Sequence, residues 1–399
     1  MTTGNIFGLR SDNMKQDTQW VFFANNAKPS SMRRALAYRL AERMPVVVVT
    51  EALSLLRERK RPALRNRVHA RSDLGDLREY TPIHYPAGVP LVGSWLNAFC
   101  HQQIRTELAS VLEPFGPRYR VVCYDSPSQF PLVGTLGEDL SVYLAIDDRT
   151  VTVSGDAIAG EKEAECNLIA RVDRVVCVSE PLAATLRARA SPGRNPRIDV
   201  LGNGYDERLF TPGQQSEEPA CLAKVARPRI LVTGHVSDRI DWEGIAAAAK
   251  SRPAWSWVFV GPADQGMSER ISRIHSETGA PLFLYPPISY EAVPAWIAYC
   301  DACAVPYRLN AFTRASSPLK ALEYLGAGAP VLSTEVPSLS AFGNAISWVR
   351  EGDEMSYVAA LDALAQTGRS LEAVERRCAS VRQETWGHKA LCFCELLDS

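Results

Sequence analysis

Ser316-Ser317-Pro318-Leu319-Lys320-Ala321-Leu322-Glu323-Tyr324-Leu325-Gly326-Ala327-Gly328-Ala329-Pro330 reads as a helix of roughly two turns closed by glycine. Pro318 suits the first helical position, where a missing N–H costs nothing, and Ser317 is then the natural N-cap. The third helical position, where a capping box would carry Glu or Gln, is Lys320. A cation in a first turn opposes the helix dipole by about 0.3–1 kcal/mol. Two serines, free N–H groups, the dipole and a lysine together form a start suited to an anion such as a phosphate. Glu323 lies three residues on, on the same face, where a carboxylate can accept hydrogen bonds from a ribose diol. Leu319, Leu322 and Leu325 take the opposite face as core. Residues 329–334 then resume as a buried strand. The plainer alternative is an ordinary helix whose solvated Lys320 pairs with Glu323.

The rest of the chain supplies the setting. At 399 residues it is long for one core and predicts two domains. A composition 46% hydrophobic and 22% charged is that of a globular chain, and a net charge of −1 argues against nucleic-acid binding. No run of 18 apolar residues is present, and the N-terminus lacks the apolar core of a secretory signal, so a cytoplasmic location is expected. Of the ten cysteines, Cys123, Cys177 and Cys303 sit inside apolar runs and read as small core residues of a reducing compartment. Cys300/Cys303 and Cys392/Cys394 lack the further spaced partners of a zinc site, so no metal and no cofactor is expected.

In order, the strand 20–24, helix 32–43 and strand 45–50 form a strand–helix–strand unit of a parallel sheet. Residues 52–75 are basic and then mixed. They read as a solvated helix or loop, or, over 57–71, as a patch touching an anionic membrane surface. A helix over 93–113 and strands over 119–124 and 141–146 follow, the last ending in Asp147-Asp148. In open α/β sheets ligands sit beyond the carboxyl ends of strands, and these two carboxylates are candidates for acid–base work. Neighbours on an extended chain point to opposite sides, so one is expected in a cleft and the other in a structural hydrogen bond. Both capping the following turn is the alternative.

A helix over 157–170, a strand at 173–179, a helix over 180–190 and a strand at 198–201 lead to the turn Gly202-Asn203-Gly204-Tyr205. Residues 212–226 have a linker composition. The alternation then restarts: strands at 229–233, 257–260, 282–285, 302–306 and 331–334, with helices between, one of them over 289–300 capped by Ser289. Two such alternations predict an α/β architecture of two Rossmann-like domains facing a cleft.

The second half resembles the nucleotide-binding domain of a GT-B glycosyltransferase of group 1 (family 4-like). The resemblance rests on Val178-Ser179-Glu180 after Arg171-Val172-Asp173-Arg174, the turn 202–210, Pro318-Leu319-Lys320 before Glu323-Tyr324-Leu325, Gly328-Ala329-Pro330-Val331, and Thr385-Trp386. It spans about residues 141–395 at motif level; residues 1–140 match in pattern only. It implies an acceptor domain over 1–210, a linker over 211–226, a nucleotide-sugar domain over 227–380, and a helix over 381–399 crossing back to the first domain. Retaining members place a glutamate eight residues before the ribose-binding one. That position is Ala315 here. The Asp147 region instead resembles inverting glucuronosyltransferases and teichuronic-acid-type transferases, in which an aspartate at the end of this strand is the general base.

Both lines lead to transfer of a sugar from a nucleotide diphosphate sugar, UDP favoured, to a hydroxyl of a glycan, lipid-linked or small-molecule acceptor. Asp147, with Asp148 as the alternative, would be the base. Ser316, Ser317 and Lys320 would hold the diphosphate without a metal, Glu323 the ribose, and Gly234, His235 and Arg239 the loop beside the phosphates. Tyr307 would pack near the nucleotide, and Asn25, Asn26 and Lys28 would face the acceptor; the plainer alternatives are a simple turn for these three and a solvated loop histidine for His235. The basic 57–71 stretch would touch the inner membrane face. Alternatives are a nucleotide-sugar epimerase of the same architecture or a non-catalytic carbohydrate-binding relative.

Overall fold

Val46, Val47, Val48 and Val49 are buried on both faces of their strand, as a strand inside a helix-covered parallel sheet must be. The computed structural model describes residues 18–24, 31–50, 53–54, 68–70, 75–81, 83–84, 93–190, 196–213 and 217–399. The first half runs β1 (Thr18–Ala24), α1 (Met32–Ala41), β2 (Val46–Thr50), β3 (Leu53–Ser54), β4 (Val68–Ala70), β5 (Leu77–Tyr80), β6 (Ile83–His84) and α2 (Gly93–Leu112). It continues through β7 (Tyr119–Tyr124), β8 (Leu140–Ala145), α3 (Glu161–Ile169), β9 (Arg174–Cys177), α4 (Glu180–Arg189) and β10 (Arg197–Val200). Its sheet has the order β10-β9-β8-β7-β1-β2-β5-β4, parallel throughout except for the antiparallel edge pair β5 and β4.

That edge corrects one expectation. In its described part the stretch 52–75, read as a solvated helix or loop, contributes the short strands β3 and β4. Most of the basic 57–71 segment lies outside the described residues, as do Asn25, Asn26 and Lys28.

The second half runs β11 (Arg229–Thr233), α5 (Trp242–Ser251), β12 (Ser256–Val260), α6 (Met267–Thr278), β13 (Leu282–Tyr285), α7 (Val293–Tyr299) and β14 (Ala302–Val305). Then come α8 (Ala311–Ala315), α9 (Leu319–Gly326), β15 (Val331–Thr334), β16 (Ile346–Val349), α10 (Glu354–Thr367), α11 (Leu371–Ser380) and α12 (Trp386–Asp398). The sheet order is β13-β12-β11-β14-β15-β16, parallel throughout. Strand order therefore reverses between β11 and β14, and the crevice beyond their carboxyl ends is where such sheets bind ligands.

Two helix starts differ from expectation. The segment 289–300 opens with a 3₁₀ turn, Tyr290–Ala292, before α7, whose second residue is Pro294. A proline lacks the N–H that continuing an α-helix through it would need. α9 begins at Leu319, with Pro318 as N-cap and no side-chain cap. Ser317 is thus one residue outside the helix, and its carbonyl has a separate partner described below.

The linking chain joins both cores. Tyr205 and Phe210 are buried in the core of the second sheet, alongside Leu222 and Val225. Trp386, Ala390, Phe393 and Leu397 of α12 are buried in the core of the first. Phe393 sits 5.6 Å from the Trp20 ring and 6.4 Å from that of Phe22. Full burial of such a side chain contributes about 1.5–3 kcal/mol, enough to fix the last helix on the first domain. Among the described residues no helix is long and apolar enough to cross a membrane.

Candidate active site

β11 ends in Thr233, and Gly234 follows with φ +93°, a left-handed conformation that costs glycine nothing. The Tyr324 hydroxyl fixes this end: it accepts from Thr233 N at 2.9 Å and lies 2.7 Å from Thr233 Oγ1. Gly261, after β12, packs so closely that a Cβ there would lie 2.1 Å from Gly234 O. The two glycines let the backbone fold flat beneath a cavity of about 810 Å³. That volume is in the range of small-molecule sites. The N-terminus of α9 opens into it, and Asp147, Gly234, His235, Arg239, Tyr307, Ser316, Ser317, Lys320 and Glu323 all line it. The sequence had scattered these residues over 177 positions; the fold brings them to one wall or the other of the crevice.

One wall of the cavity is cationic, with Lys320 and Arg239 on either side of Tyr307. Lys320 reaches back so that its ammonium donates to the Thr233 carbonyl. It lies 5.4 Å from the centre of the Tyr307 ring, and the Arg239 guanidinium lies 5.1 Å from the same ring. Burial pushes the Lys320 ammonium below its ordinary value; the Tyr307 phenol acts against this and Arg239 with it. For Tyr307, burial alone would raise the phenol, but Lys320 and Arg239 outweigh it and hold it below its ordinary value. Arg239 donates to His235 O at 3.2 Å, while its buried Nε has no hydrogen-bond partner among the described residues. His235 is less committed to the cavity: its Nε2 is 2.7 Å from Asp264 Oδ1, and both side chains are nearly half exposed. Ser316 Oγ donates to Thr313 O at 2.7 Å. Glu323 is only 5% exposed. The Tyr290 phenol is raised by burial and then by the Glu323 carboxylate beside it.

The adjacent aspartates separate as alternation requires. Asp148 is buried and accepts from Arg189 at 3.0 and 3.1 Å, and from the Thr150 N–H and hydroxyl at 3.0 and 2.7 Å. Burial acts to raise its pKa, but these donors prevail and hold the carboxyl below its ordinary value. Asp147 faces the cavity. Burial raises its pKa, against the opposing charges of Arg149, Arg33 and Arg239. Arg33 is itself committed to a buried ion pair with Asp125.

Sequence reasoning did not single out Tyr290, Phe312, Thr313 or Gly261, which also line the cavity. Gly261 was legible in principle, since a glycine directly after a strand at the ligand end of a parallel sheet marks close backbone approach. Tyr290 and Phe312 carried no such signal. Ala315, at the position of the retaining glutamate, is 5% exposed and packs in the core of the first domain.

Residues 227–367 match the model of the family described as Glycosyl transferases group 1. Over 224 residues the chain is 28% identical to TuaH of Bacillus subtilis (strain 168), a protein assigned to teichuronic acid biosynthesis as a glycosyltransferase. That alignment takes in 53% of this chain and 54% of TuaH, so the chain spans about half the length of this relative. Among solved structures, a trehalose-6-phosphate protein of E. coli bound with UDP-2-fluoro glucose superposes with a TM-score of 0.71 at 12% identity, covering 96% of this chain and 99% of that one. Sucrose-phosphate synthase of Thermosynechococcus elongatus gives 0.70 at 16% identity, covering 96% and 98%. These likenesses establish the GT-B fold: two parallel-sheet Rossmann-like domains with helices.

Proposed function

We propose that this chain is a glycosyltransferase that moves a sugar from a nucleotide diphosphate sugar to an acceptor hydroxyl with inversion. UDP is the favoured nucleotide, since the superposed E. coli structure binds a UDP sugar. The observation that carries the reading is that Asp147, raised by burial, faces the same cavity as Lys320, Arg239 and the start of α9. Asp147 takes the acceptor proton as the acceptor oxygen attacks the anomeric carbon. The bond from that carbon to the diphosphate oxygen breaks on the opposite face, which inverts the configuration. The departing diphosphate gathers negative charge, and Lys320, Arg239 and the free N–H groups of α9 stabilise it as it forms. These groups supply the charge that a metal ion would otherwise provide. Glu323 accepts from the ribose, and Tyr290 closes the nucleoside end.

A glycan, lipid-linked glycan or small aglycone supplies the hydroxyl. For a lipid-linked acceptor the chain works at the inner membrane face, and the basic 57–71 stretch makes that contact. Cosedimentation with vesicles containing anionic lipid, lost on neutralising 57–71, tests it.

The test of the central reading is a thermal-shift screen with UDP, GDP, dTDP and ADP sugars, followed by turnover and NMR of the product anomer. Ligand that binds the native state raises the melting temperature. A screen in which no nucleotide diphosphate shifts the wild-type melting temperature overturns the reading. A new sugar isomer formed without acceptor identifies an epimerase instead.

A further inference from the structure

The residues leading into α9 are held by their carbonyls. Ser338 Oγ donates to Ser316 O at 2.8 Å from within the second domain. The flanking carbonyls are gripped from the first domain: Ser179 Oγ donates to Ala315 O at 2.5 Å, and Asn203 Nδ2 donates to Ser317 O at 2.6 Å. A third bond crosses nearby, from Asn310 Nδ2 at the N-cap of α8 to Val153 O, at 2.9 Å. Apolar packing follows the same path, since Ala315 is buried in the first domain's core and Leu319 packs against it.

A trans peptide is planar, so fixing one carbonyl fixes the direction of the next residue's N–H. Holding the carbonyls of 315–317 therefore sets how the chain enters α9 and where Lys320 begins. Ser179 does two jobs with one hydroxyl, because it also accepts from Leu182 N as the N-cap of α4.

We propose that Ser179 and Asn203, which lie outside the cavity, are positioning residues that form a cross-domain clamp on the diphosphate loop. The donor site is assembled only while the two domains are seated on each other through this clamp. The inference rests on the donor-site reading above.

Asn203 is the better residue to vary, since Ser179 also caps a helix. Asn203→Ala removes the donor; Asn203→Asp keeps the shape but sets a carboxylate against a carbonyl. Loss of one such hydrogen bond should raise amide exchange over residues 311–325 by about fivefold to tenfold in both variants. Because the lost bond belongs to the folded state, the ligand-free melting temperature should fall by only about 2–4 °C, and UDP affinity, measured by calorimetry, should fall. Unchanged exchange over 311–325 in both variants overturns the clamp. So does wild-type UDP affinity in a variant whose loop exchanges faster. A wild type that does not bind UDP, with loop exchange raised in the variants, supports the clamp and removes the UDP reading.

Discussion

Arg189 grips Asp148 through two nitrogens, at 3.0 and 3.1 Å, and so separates two carboxylates that are neighbours in the chain. The same guanidinium reaches Glu165 Oε2 at 2.5 Å, and Glu165 accepts from the Tyr143 hydroxyl at 2.7 Å. Asp148 is therefore part of a buried network under the site. Removing one partner of a buried pair costs about 3–5 kcal/mol because the other charge is left unpaired. Asp148→Asn should lower the free energy of unfolding measured in urea, by less than this because Arg189 keeps Glu165 as a partner, while protein that remains folded keeps its nucleotide affinity. A variant as stable as the wild type would mean that Asp148 is not structural.

Asp147 should behave in the opposite way. Its folded-state pKa is raised above the ordinary 3.8, mainly by burial. A carboxyl of this kind costs nothing below its unfolded pKa, and it costs stability as pH rises through the raised folded value. Asp147→Asn should thus melt higher than wild type at pH 7, with the gap closing below about pH 4. Turnover should fall by about 10²–10⁴, the range for loss of a general base. The wild-type pH–rate profile should show an acid limb lying above 3.8. Unimpaired turnover in Asp147→Asn would assign the base elsewhere.

Lys320 carries a third test. Burial lowers its pKa from 10.5, so the ammonium costs folding stability. That cost is absent above 10.5 and grows to its full size as pH falls through the lowered value. Lys320→Met should therefore raise the ligand-free melting temperature at pH 7. A charge-assisted hydrogen bond is worth about 1.5–3 kcal/mol, so the Kd for UDP should rise by roughly ten- to a hundredfold. Calorimetry that finds equal affinity in both proteins would remove Lys320 from the donor site.

Ala315→Glu asks whether the retaining pattern can be restored by one change. The site is 5% exposed and packs in the first domain's core, away from the cavity lining. A carboxylate placed there loses its hydration, at a cost of several kcal/mol for an unpaired ion. The variant should melt lower, and its product should keep the wild-type anomeric configuration by NMR. A switch of anomer would show that the buried position does reach the sugar.

The two-sheet architecture and most of the residues that line the cavity could be read from local sequence pattern. Runs such as Val46–Val49 and Ile230–Val232 suit strands buried on both faces of a parallel sheet, and their alternation with helical segments implied two domains. The placement of Lys320 at a helix start beside the cavity was legible because a helix start and its charge are set within one turn, although its cap was not the expected Ser317. What tertiary structure decided were the choices made by distant partners. Asp147 and Asp148 have near-equal local chemistry, and only Arg189, some forty residues on, commits one of them. Tyr290 and Phe312 look like any aromatics in short helical segments until the fold brings them to the cavity. Ser179 and Asn203 read as a cap and a turn, yet each donates to a carbonyl more than a hundred residues away. Local rules fix periodicity and caps over a few residues; a hydrogen bond across domains depends on where two separately folded sheets come to rest.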